Sequence, residues 1–121
     1  MVWELDKSRP ICPQLCQIIC VAVAKGEYAP SERLLSVREI ALQAGVNPNT
    51  VQKSLEELER RGVIRSVRGS GWYVNETIDN VAADEVKLLK KKKTEDYLAA
   101  MAQLGCDQEE ILQYLQECQG R

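Results

Sequence analysis

Apolar residues recur at helical spacing early in the chain: Leu15, Ile18, Ile19, Ala22 and Val23 mark one face of residues 11–25. Pro13 is tolerable in a first turn and Gly26 is a C-terminal stop, so the pattern predicts a first helix. A connector over Glu27–Leu35 follows, and then Ser36-Val37-Arg38-Glu39 reads as a capping box. There the Ser36 hydroxyl accepts from the Glu39 amide and the Glu39 carboxylate reaches back. This predicts a second helix from Val37, with Val37, Ile40, Ala41 and Ala44 facing inward and Gly45 as its left-handed terminator. After Val46, Asn47 is a good N-cap and Pro48 sits where a missing amide proton is harmless, so a third helix should run to about Arg61 and stop at Gly62. Val51, Leu55 and Leu58 mark its inner face, leaving Asn49, Gln52, Lys53 and Glu56 outward.

The period then changes. Val63–Val67 and Trp72–Val74 are β-prone and flank the turn Arg68-Gly69-Ser70-Gly71, which predicts a hairpin. Polar residues 75–80 read as a linker. The remainder should be helical: a first segment over about Val81–Leu104, its apolar stripe broken by Lys90–Lys93, and a second capped by Asp107, with Ile111, Leu115 and Cys118 in a stripe. The expected fold class is mainly α with a small β-hairpin: a winged helix-turn-helix over residues 1–75, then a short two-helix tail over 76–121. A tail of this size seldom builds its own core. Val86, Leu89, Leu98, Met101, Leu104, Ile111 and Leu115, with Leu88, are therefore expected to be buried against a second subunit.

Composition removes several alternatives. The 121 residues suit one small domain with an appendage, and the absence of His excludes Ser-His and Cys-His nucleophile pairs and imidazole metal sites. No enzyme and no cofactor is expected, because the cysteines, the remaining candidate nucleophiles, lack an identifiable base. Five Cys without a C-x-x-C pair, and a start lacking the regions of a signal peptide, lead us to expect a cytoplasmic protein. The longest uncharged run, Pro10–Ala24, is shorter than the ~18–20 apolar residues a span requires, so no membrane partner is expected.

The two capped helices and the hairpin point to double-stranded DNA. The third helix would enter the major groove, where Asn49, Thr50 and Gln52 can bond base edges or phosphates, Lys53 can reach a phosphate, and the helix N-terminus attracts phosphate oxygens. Charge supports this: residues 33–74 hold seven basic and four acidic residues, a balance of +3, so the rest of the chain carries -5 of the total of -2. Arg38 and Arg68 are further candidates, against the plainer readings of an ion pair with Glu39 or Glu32 and of a solvated turn residue. The competing class is a winged helix that binds protein and not DNA, which would want an apolar start to the third helix. Cys12, Cys16 and Cys20 stack at i, i+4 and i+8; metal or redox sensing is one reading, and small hydrophobes packed in a core the blander one. Lys90–Lys93 read as a solvated stretch.

Several ordered motifs carry a family likeness. Pro10-Ile11, Gly26-Glu27-Tyr28, Leu34, Ser36 to Ala41, Gly45 to Val51, Leu55, Leu58, Gly62 and Gly69 to Val74 resemble the DNA-binding domain of GntR-family bacterial transcription regulators, over about residues 8–75. The Asn47-Pro48-Asn49-Thr50 run, the Val2–Asp6 lead-in and the short C-terminal part are similar to the small YtrA-type subfamily. The resemblance implies a repressor binding a pseudo-palindromic operator as a homodimer through a helical tail, with DNA contacts at Arg38, Asn47, Asn49, Thr50, Arg68 and Gly69. Two departures stand out. Pro48 occupies a position where many relatives have a guanine-reading arginine, and Leu35 replaces the proline usual before Ser36. A small-molecule effector at the tail would act by rotating one winged helix against the other, though these residues spell out no inducer site.

Overall fold

The computed structural model describes residues 1–75 and 81–119. The elements run α1 (Ile11–Ala24), α2 (Val37–Ala44), α3 (Pro48–Arg60), β1 (Ile64–Val67), β2 (Gly71–Val74), α4 (Val81–Gln103) and α5 (Gln108–Gln119). They fall into two compact units, Met1–Val86 and Lys87–Arg121. No helix among the described residues is long and apolar enough to cross a membrane.

In the first unit, α1 and α2 both pack on α3. Leu15 and Ile19 of α1, Ile40 of α2 and Val51, Leu55 and Leu58 of α3 are all buried in one cluster, closed by Leu34 and by Ile64 of the hairpin. Close approach of α1 to α3 is marked by Ser54, fully buried, whose hydroxyl donates to Thr50 O at 2.8 Å and whose carbonyl accepts from Cys16 Sγ at 3.4 Å. The turn from α2 to α3 is set locally. Ser36 and Glu39 exchange both capping bonds, and Gly45 adopts φ 68° while the amides of Gly45 and Val46 return to Ala41 O. The Asn47 side chain then caps α3.

β1 and β2 pair antiparallel with Ile64 opposite Val74 and Val67 opposite Gly71. The connector before α2 joins them through backbone pairing that its sequence pattern does not announce. Leu34 N donates to Trp72 O at 2.8 Å, Val74 N to Glu32 O and Ser31 N to Val74 O at 2.9 Å each, and Arg33 bridges to Tyr73. Asn75, assigned to the linker by sequence, belongs to the hairpin base: its side chain donates to Gly62 O at 2.7 Å and its amide to Val63 O. The remaining linker positions, 76–80, lie outside the described residues.

The first turns of α4 are part of this unit, beyond the boundary expected after residue 75. Ala82 is buried in the core, Glu85 accepts from Cys20 Sγ at 3.1 Å, and Arg61 pairs with Glu85 at 3.5 Å and with Glu57 at 3.0 Å.

In the second unit α4 continues as one helix through Lys90–Lys93, where its apolar stripe is broken. Its backbone bonds are satisfied internally, so the lysines need no inner face and all four are exposed. Gly105 at φ 76° ends the turn that follows, and Asp107 Oδ1 accepts from Glu110 N at 3.0 Å to start α5.

Candidate nucleic-acid interface

The helix-turn-helix is held from outside by the N-terminal segment. Trp3 Nε1 donates to Gln43 Oε1 at 2.9 Å, and Lys7 Nζ donates to Gly45 O at 2.8 Å and Ala44 O at 3.4 Å. A cation on the last carbonyls of α2 complements the helix dipole there and braces the turn that aims α3.

At the start of α3 the exposed side chains are Asn47, Asn49 and Lys53, with Thr50 and Gln52 half-buried. Their chemistry is less open than the sequence suggests. Asn47 Oδ1 accepts from Asn49 N at 2.8 Å, and the amides of Thr50 and Val51 turn back to Asn47 O. Since Pro48 has no amide proton, the first turn of α3 has no N–H without an intramolecular partner. Gln52 Nε2 donates to Glu56 Oε1 at 3.0 Å, so its amide starts from an intramolecular partner. Asn49 and Lys53 side chains have no hydrogen bond or ion pair among the described residues.

Arg38 stands in the first turn of α2. It is exposed and pairs with neither Glu39 nor Glu32, whose carboxylates accept from the Ser36 and Ala29 amides, each at 3.1 Å. Hydrogen bonds from Ser36, before a smaller contribution from the Arg33 charge, hold the Glu39 carboxyl below its ordinary pKa. The amides of Val37 and Arg38 have no partner among the described residues, as is usual for the first turn of a helix.

At the hairpin tip Arg68 is exposed and unpaired among the described residues, Gly69 takes φ 78°, and Ser70 N closes the turn on Val67 O at 2.9 Å. Ser70 and Tyr73 hydroxyls bond to each other, and Arg65 lies over the Tyr73 ring, 5.7 Å from its centroid. The wing is thus a braced ribbon with a cation at its end.

The cysteine stripe does not join this surface. Cys16 and Cys20 are buried, and burial above all, with Cys12 beside the first and the Glu85 carboxylate bonded to the second, raises their thiols to about 11 and about 12. They act as small core residues, and no group of three or more metal-ligating side chains occurs among the described residues.

A three-helix core carrying a two-stranded wing, with an exposed polar helix start and uncommitted arginines beside it, defines a winged helix-turn-helix protein. Residues 14–74 match the family model for bacterial regulatory proteins of the gntR family. The chain is 36% identical over 111 residues to the uncharacterized HTH-type transcriptional regulator YhcF of Bacillus subtilis, spanning 91% of this chain and 90% of that protein. It is 32% identical to the HTH-type transcriptional repressor YtrA of the same organism, spanning 91% and 85%. Among solved structures, a GntR family transcriptional regulator from Listeria monocytogenes superposes with a TM-score of 0.80 at 34% identity, over 93% of this chain and 98% of that one. The AraR DNA-binding domain in complex with operator ORE1 superposes at 0.53 and 25% identity, over 61% and 93%. The chain belongs to the GntR family and is a transcription regulator, with the small YtrA-type proteins among its relatives.

Proposed function

We propose that this regulator is a repressor that binds a pseudo-palindromic operator as a homodimer, with α3 in the major groove and the wing at the adjacent groove or backbone. Arg38, Asn49, Thr50, Gln52, Lys53 and Arg68 make the side-chain contacts. Asn47 contributes its amide nitrogen, its oxygen being the helix cap, and Gly69 lets the wing backbone approach. The observation that carries this reading is that Arg38, Lys53 and Arg68 are exposed and have no ion pair among the described residues, although carboxylates are abundant nearby. The operator complex of the AraR domain supports a DNA partner for the shared fold.

The second copy of the chain is the natural cover for the tail. Leu98, Leu104 and Leu115 are exposed there, Leu104 at 79%, and Val86, Leu89 and Met101 are half-buried. Ile111 is only 6% exposed within its own chain and leaves little surface for a partner to cover.

Gel-shift titration of the full chain against genomic fragments, across a range of salt, tests the proposal. Two protomers neutralising ~6–10 phosphates give a log–log slope of about -5 to -9. A slope near zero, or a monomer by sedimentation at concentrations that bind DNA, would refute it. Placing the selected fragment before a reporter gene distinguishes repression from activation.

A further inference from the structure

Arg33 is the cation in the connector, and its backbone is held at the wing by the bridge to Tyr73 and by the Leu34-to-Trp72 and Val74-to-Glu32 hydrogen bonds. Its side chain lies along the wing over Gly71. A Cβ at position 71 would stand 3.1 Å from Arg33 Nε, 3.4 Å from Nη2 and 3.6 Å from Cζ, so the missing side chain is what leaves room for the guanidinium. Gly71 also has φ 142°, which side chains rarely adopt.

The charge so placed is not neutralised. Glu32 and Glu39, the nearest carboxylates in sequence, accept from the Ala29 and Ser36 amides, and Arg33 has no ion pair among the described residues. The connector runs on through Leu34 and Leu35 to the Ser36 cap, so Arg33 stands three residues before that cap as well as against the wing. Along the chain Arg33 thus stands between its bridge to the wing, whose tip carries Arg68, and the first turn of α2, which carries Arg38.

We propose that Arg33, seated on Gly71 between the wing and the start of α2, contacts a DNA phosphate. Its planar fork of donors suits phosphate oxygens, and seating on a backbone platform reduces the rotamer freedom lost on binding. A phosphate contact carries no sequence information, so Arg33 contributes affinity and register but no base preference. This rests on the DNA-binding reading above.

Full-length Arg33→Gln and Arg33→Lys are titrated against two duplexes, one of random sequence and one selected from genomic fragments, over a range of salt. Arg33→Gln is expected to weaken both duplexes by the same factor, about eightfold per protomer at 0.1 M salt, and to make the log–log slope shallower by about 0.9 per protomer. Arg33→Lys keeps the slope and recovers part of the affinity, and both variants melt with the parent. A parent slope in Arg33→Gln overturns the proposal: with unchanged affinity Arg33 is a bystander, and with weaker binding and lower melting it merely braces the wing. If the parent chain binds neither duplex, the DNA-binding reading falls and this proposal with it, an outcome distinct from a parent that binds and a variant that matches it.

Discussion

Arg38→Ala separates a DNA contact from a structural ion pair more cleanly than any other substitution in this chain. The side chain is exposed and has no hydrogen bond or ion pair among the described residues, so its removal leaves nothing unsatisfied. Alanine is a better helix former than arginine, and a cation in the first turn of a helix opposes the dipole. Folding stability should stay within about 0.5 kcal/mol of the parent or rise slightly, a change of at most a few degrees in Tm. DNA affinity should behave differently. An arginine at a base edge or phosphate is worth about 1–3 kcal/mol per half-site, and a dimer loses both contacts, so the combined loss of about 2–6 kcal/mol amounts to at least 25-fold. The assay is fluorescence anisotropy on a selected genomic duplex at fixed salt, paired with calorimetric melting of the free protein. A folded variant that binds as tightly as the parent would refute the contact. One that melts many degrees lower would show a structural role that the geometry does not contain.

Four further outcomes follow from other parts of the molecule. Iodoacetamide at pH 8 should label the exposed Cys118 in the native chain but reach Cys16 and Cys20 only after unfolding in guanidinium, because burial raises their thiols to about 11 and about 12; mass spectrometry of native Cys20 labelling would contradict this. Ser36→Ala should destabilise by about 1 kcal/mol in urea titration at pH 7 through loss of the α2 cap. The Glu39 carboxyl, lowered in the folded state by its Ser36 hydrogen bonds, stabilises above its ordinary value of 4.5 and loses that contribution as pH falls through its lower folded value, so Glu39→Gln should flatten that acid limb of the stability profile. Truncation after Val86 should leave a folded winged helix that is monomeric and binds operator weakly, whereas truncation after Asn80 removes Ala82 and Glu85 and should melt lower; a Val86 truncation that still dimerises by sedimentation would move the interface into the first unit.

Much of the site was legible in the residues because the interactions that form it are local. The Ser36–Glu39 box, the left-handed Gly45, the Asn47 cap before Pro48 and the glycine-bearing wing tip each close over a few residues, so spacing alone places α2, α3 and the hairpin. The polar start of α3 and the cations Arg38 and Arg68 could be named for the same reason. Local pattern also has a limit at α4, where lysines interrupt the apolar stripe without interrupting the helix.

What tertiary structure decided involves partners far apart in the chain. Connector residues 31–34 have no strand pattern of their own and become ordered only against β2, which is why the Arg33 seat on Gly71 was invisible in sequence. Lys7 reaches the end of α2, and Asn75 the hairpin base, through contacts that no periodicity encodes. Burial settled the chemistry of the cysteines, since a thiol stripe on a helix is a reactive cluster or a packing face according to what lies opposite, and here Ser54 and Glu85 do. Ala82 is fixed in the same way: residue type and spacing do not reveal that its turn closes the core of the first unit, because that depends on a surface assembled from α1, α3 and the hairpin.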